Sequence, residues 1–99
     1  MNHTVKVLLH WLVTAPTGQS PRGERFSRPA RFDHQGDDWT SNAWSLVINT
    51  EGTLDARGNQ MATAKFLVAD APHEWLAAGR RFTLFEGNLA LADGVVKDV

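Results

Sequence analysis

Thr4-Val5-Lys6-Val7-Leu8-Leu9-His10-Trp11-Leu12-Val13 decides how this chain folds. Its odd positions, Val5, Val7, Leu9, Trp11 and Val13, are apolar without a break. That period of two is the mark of a strand with one buried face. The even positions, Thr4, Lys6, Leu8, His10 and Leu12, pass from polar to apolar. Such a second face belongs to a strand partly covered by a neighbour.

The same alternation recurs downstream. Residues 43–50 place Trp44, Leu46 and Ile48 on one face and Ser45 and Asn49 on the other, with Val47 between them. Residues 60–69 line up Ala62, Ala64, Phe66 and Val68 opposite Thr63 and Lys65. Residues 80–85 and 89–99 read as a last pair of strands, joined by a tight turn at Glu86-Gly87-Asn88. Glu51-Gly52 and Arg57-Gly58-Asn59 are further turn signals. Asp70-Ala71-Pro72 predicts a capped helix of one or two turns through Ala77, ended by Gly79. Gly94, inside the last strand, predicts a bulge.

Two stretches interrupt the pattern. Residues 14–21 hold two prolines and a glycine and read as a loop. Residues 22–32 carry Arg22, Arg25, Arg28 and Arg31 at a helix-like spacing, but Pro29 forbids a helix interior there. The reading is an irregular edge segment that becomes a short strand only at residues 30–32. Residues 33–42 are polar and acidic and read as a loop. Five or six strands with turns between them and almost no helix make an all-β sandwich or barrel. Closure into a barrel is favoured, because a short chain has few other means of protecting sheet edges.

Composition narrows the chemistry. One domain fits in 99 residues, with enough chain to bury a core. The absence of cysteine excludes a disulfide framework, a thiolate zinc site, an iron–sulfur cluster and a cysteine nucleophile. It accords with a cytoplasmic protein. A net charge of -1 argues against broad binding to nucleic acid, which calls for a basic excess. No apolar run is long enough for a membrane helix, and the first residues lack the pattern of a signal peptide. No membrane association and no cofactor is expected.

The C-terminal third carries a family resemblance. Ala69-Asp70-Ala71-Pro72 leads through Leu76 and Gly79 into Arg80-Arg81-Phe82-Thr83-Leu84-Phe85-Glu86-Gly87-Asn88, and then Leu91-Ala92-Asp93-Gly94-Val95-Val96-Lys97. This resembles the end of the third domain of elongation factor Tu, with Gly94-Val95-Val96-Lys97 its most specific part. His3-Thr4 and Arg28-Pro29 resemble the family's His-Thr opening and Arg-Pro strand entry, whereas the middle, 33–58, departs from it. The resemblance implies a single six-stranded, Greek-key-like β-barrel over residues 1–99. It also implies a part that makes contacts, since the family's GTPase lies in another domain and no phosphate-binding glycine loop ending in Lys-Ser or Lys-Thr is present. Glu86 and Gly87 match the turn that approaches the tRNA backbone in the family, but Phe85 stands where the family has an arginine.

Several residues are candidates for function. Asp33, His34, Asp37 and Asp38 share one loop and offer oxygen ligands and an imidazole to a divalent metal, though their spacing fits no established motif and a solvated loop is the plainer reading. Arg22, Arg25, Arg28 and Arg31 are interleaved with aromatics, a composition that holds phosphates and stacks bases. The same residues also serve as a basic edge balancing the acidic loop. Trp11 and Trp44 fall on core faces. Trp39 and Trp75 lie beside loops, as anchors for a protein partner or as covers over the barrel ends. No Ser-His-Asp or similar catalytic set is legible. The expectation is therefore a non-enzymatic module that binds an unidentified protein, linked to translation. The alternatives are an RNA or tRNA binder using 22–31, and a small-molecule binder or enzyme with a pocket at a barrel mouth formed by the acidic loop and Trp39.

Overall fold

The computed structural model describes residues 4–12, 25–36, 38–51 and 55–98. Six strands form one closed barrel: β1 (Val5–Trp11), β2 (Arg25–Phe32), β3 (Trp44–Glu51), β4 (Asn59–Phe66), β5 (Arg81–Glu86) and β6 (Leu89–Asp98). Around the wall the order is β1-β4-β3-β2-β5-β6, and every neighbouring pair is antiparallel. β2, β3 and β4 are consecutive neighbours, while β1 lies beside β4 and β5 beside β2. Both arrangements are Greek keys. The all-β, six-stranded, Greek-key-like barrel expected from the sequence is the observed architecture.

The pleat sets what is inside. Val5, Val7 and Leu9 of β1 are buried, as are Leu46 and Ile48 of β3, Ala62, Ala64 and Phe66 of β4, and Phe82 and Leu84 of β5. Ala62 and Ala64 face Val7 and Val5 on one neighbour and Thr50 and Ile48 on the other. Small side chains on one strand make room for branched ones beside it, which is how a narrow barrel fills without voids. Rings close the two ends. Phe32 meets Phe66 at 5.8 Å, Phe82 at 5.9 Å and Trp75 at 5.3 Å between centroids. At the other end Trp11 lies 6.0 Å from Phe26 and donates its indole N–H to Oε1 of buried Gln60 at 3.0 Å. Trp11 and Trp44 are partly buried and pack against the core.

Four expectations are corrected. Residues 25–32 form a regular strand with β3 on one side and β5 on the other, not an irregular edge. Pro29 is tolerated because the ladder to β5 covers only Ala30–Phe32, so it stands where that ladder ends. Val68 is 47% exposed, because β4 stops at Phe66 and the alternation does not continue past it. The helix expected over 70–77 is a 3-10 turn, His73–Trp75, preceded by Pro72 without a side-chain cap. Residues 33–42 include a second such turn, Trp39–Asn42. Gly94 does not sit at a bulge: the register shifts lie between Lys6 and Val7 and between Leu84 and Phe85. The β5–β6 hairpin closes with Gly87 at φ 60° in the first central position, a conformation that glycine adopts without penalty.

Candidate interaction surface

The buried residues of each strand alternate with outward ones, and the antiparallel register assembles the outward residues into rows across the wall. On β1 these are Lys6, Leu8 and His10. His10 stands beside Asn59 of β4 and Asp93 of β6; Asp93 stands beside Thr83 of β5, and Thr83 beside Arg31 of β2. One polar row thus crosses five strands. A second row runs parallel to it: Met61, Leu8, Val95 and Arg81. Asp33 continues that row on the far side of Arg81, joined by the bond from its backbone N–H to the Arg81 carbonyl at 3.0 Å. These two rows form an open cleft of about 450 Å³ on the outer wall of β1, β6, β5 and β2.

Hydrogen bonds order part of the first row. Thr83 Oγ1 donates to Asp93 Oδ1 at 2.7 Å, and His10 Nδ1 pairs with Asn59 Oδ1 at 2.8 Å. The amide oxygen of Asn59 can only accept, so Nδ1 of His10 carries the proton.

The cleft is lined by two arginines and two aspartates. Asp33 is drawn to Arg80, whose Nη1 lies 3.4 Å from Oδ1. The same nitrogen donates to Nδ1 of His34 at 2.8 Å, an arrangement that needs a neutral ring. Asp33 also accepts the backbone N–H of Arg81 at its Oδ2, at 3.4 Å, and lines the cleft. Arg31 and Arg81 make no ion pair with any described residue. Arg31 lies over the ring of Phe85, 5.5 Å from its centroid, and Phe85 in turn meets Trp39 at 4.9 Å. The cleft thus carries two arginines outside any ion pair, two carboxylates, Asp33 beside Arg80 and Asp93 held by Thr83, and an aliphatic floor of Leu8 and Val95. These groups suit recognition.

The residues singled out from sequence scatter. Arg22 and Asp37 lie outside the described residues. A spacing of three on a strand sends successive side chains to opposite faces. Arg25 and Arg31 accordingly point outward, while Arg28 shares the inward face with Phe26 and Ala30, so the arginines do not form one patch. Arg28 lies 3.9 Å from Glu86 and 5.8 Å from the centroid of Phe26. Asp33 and His34 turn to Arg80, and Asp38 precedes the turn at Trp39–Asn42 without a side-chain cap bond. Among the described residues no three His, Asp or Glu side chains gather as metal ligands. Trp39 folds onto Phe85, and Trp75 stands edge-on to Phe32 and to His34, at 4.4 Å from the latter. Gly87 occupies the hairpin turn. Arg31 alone of these candidates lines the cleft together with Asp33.

His10, Arg81, Thr83 and Asp93 were not legible as a site. The outward position of His10 and Leu8 was visible in the alternation of β1. Their adjacency to β6 and β5 depends on the register of strands far apart in the chain.

No protein-family model, curated protein or solved structure matches this chain.

Proposed function

We propose that this chain is a non-enzymatic protein-interaction module that receives its partner on the outer wall of β1, β6, β5 and β2. The observation that carries the reading is an outer-wall cleft in which Arg31 and Arg81, neither in an ion pair with a described residue, stand beside an ordered polar row and an aliphatic floor. The barrel interior supports it from the other side. Phe32, Phe66, Leu9, Leu46, Ile48 and Leu84 fill the space between the walls, each less than 2% exposed. The sequence resemblance of residues 80–97 to the third barrel of elongation factor Tu supports a partner connected with translation. The absence of cysteine supports a reducing, cytoplasmic setting.

A photo-crosslinking amino acid at Val95, compared with one at Asn49 on the outer face of β3, tests the proposal in lysate of the source cells. A discrete protein adduct from Val95 and none from Asn49 is the expected result. No adduct from Val95, or the same adducts from both positions, would reject it.

A further inference from the structure

The seams of the barrel are unequal. β2 pairs with β3 from Arg25 to Ala30, and β5 pairs with β6 from Arg81 to Glu86. Between β2 and β5 the ladder joins only Ala30, Arg31 and Phe32 to Leu84, Thr83 and Phe82. It is the shortest ladder among the described residues. A backbone bond from the N–H of Asp33 to the Arg81 carbonyl extends it at one end. At the other end stands Pro29, which has no N–H to donate. The charged side chains that bridge this seam are at least partly exposed: Arg31 over Phe85 at 5.5 Å, Arg80 to Asp33 at 3.4 Å, and Arg28 to Glu86 at 3.9 Å. Contacts of this kind contribute little each. Inside, Phe32 meets Phe82 across the seam at 5.9 Å. Phe32 also rests on Phe66 and Trp75, and β5 is paired along its length with β6, so each strand keeps partners when the two part.

Segments of a native protein open in the order of what holds them, and the shortest ladder is the least held. We infer that the barrel opens along the β2–β5 seam while its other seams stay closed, and that this opening takes the proposed binding wall apart. Thr83 and Arg31 face each other across the seam. The polar row that runs from Asn59 through His10, Asp93 and Thr83 reaches Arg31 only while the seam is shut. In the open form Arg31, Phe32 and Asp33 leave the lining of the cleft with β2. A partner seated across β5 and β2 binds the closed form alone and so holds the seam shut. That locking rests on the binding role proposed above, whereas the opening itself follows from the ladders.

Amide hydrogen exchange of the full chain, read by nuclear magnetic resonance, tests the opening with its own internal control. Successive amides of a strand point to opposite neighbours. The bond from Asp33 to Arg81 sets the phase, so Arg31 and Thr83 direct their N–H groups across the seam, while Ala30 and Leu84 direct theirs to β3 and β6. Protection at Arg31, Asp33 and Thr83 is expected to fall at least about tenfold below that at Ala30 and Leu84. Low urea should speed exchange at Leu84 and leave Thr83 nearly unchanged, because an opening smaller than global unfolding exposes less surface. Equal protection at Thr83 and Leu84, or equal urea dependence at the two, would overturn the inference. Equal protection together with a discrete adduct at Val95 would reject the opening and leave the interaction module standing. Low protection at the seam with no adduct would uphold the opening and reject the module.

Discussion

The ring of Phe82 occupies the space that a side chain at Gly94 would need. The two residues are cross-strand neighbours on β5 and β6, and a Cβ built on Gly94 would stand 2.5 Å from Cε2 and 2.8 Å from Cε1 of the ring. The glycine is therefore required by close approach, not by its backbone angles. It lets a large aromatic lie over the strand and reach Phe32.

Gly94→Ala should accordingly destabilise the barrel by about 1–3 kcal/mol, through overpacking of a buried ring. The F82L/G94A double variant should recover part of that loss, because the shorter side chain vacates the contested space. Urea denaturation of the parent and the two variants measures both effects. A Gly94→Ala protein as stable as the parent would refute the packing argument.

Gln60 and Trp11 form the second dependence. Gln60 is 1% exposed and accepts the indole N–H of Trp11. Gln60→Leu leaves that donor without its acceptor and should cost about 1–3 kcal/mol. Adding Trp11→Phe removes the donor itself, so the double variant should lose less than the sum of the single losses. Denaturant midpoints in the four-member cycle give the coupling.

Asp55 closes the β3–β4 connection. Its Oδ1 accepts the backbone N–H of Asn59 at 2.9 Å and of Arg57 at 2.8 Å. These two bonds hold its carboxyl below the usual value of 3.8. A carboxyl lowered on folding stabilises the native state fully above its unfolded pKa, and the contribution disappears as pH falls through the lower native value. The melting-temperature advantage of the parent over Asp55→Ala should thus be constant near neutrality and shrink only on strong acidification. An advantage that grows in acid would contradict the assignment.

Arg28 contributes little through its charge. Its contact with Glu86 is long, 3.9 Å, with Glu86 62% exposed, and its Nε is buried without a partner among the described residues. Glu86→Ala should change stability by less than about 0.5 kcal/mol. Arg28→Met keeps a flexible stem against Phe26 and removes the buried polar nitrogen. It should lie between neutral and about 1 kcal/mol more stable. A loss beyond about 2 kcal/mol would show the ion pair to be stronger than its geometry.

Where each strand's own pattern is strong, the fold is legible from sequence. The alternation from Val5 to Trp11 and the Gly87-Asn88 hairpin appear in the structure as read. β2 was obscured by Pro29 and by arginines at every third position, a spacing that resembles a helix and becomes a two-faced strand once β3 and β5 flank it. Val68 fits the alternation of β4 but lies beyond the last paired residue, Phe66. The cleft was the least legible feature. Only Arg31 and Asp33 of its charged members were singled out, each for a different reason and neither for this surface.

Sequence alone determined which residues face inward along most strands, because the pleat sends neighbouring side chains to opposite sides wherever one side must leave water. Tertiary structure decided which outward residues share a surface. His10, Asp93, Thr83 and Arg31 come from four strands, and only the register between those strands brings them into one row. That register is settled by the joint packing of the barrel interior, where a slip of one residue would turn every core side chain outward, and no local stretch of chain contains that information.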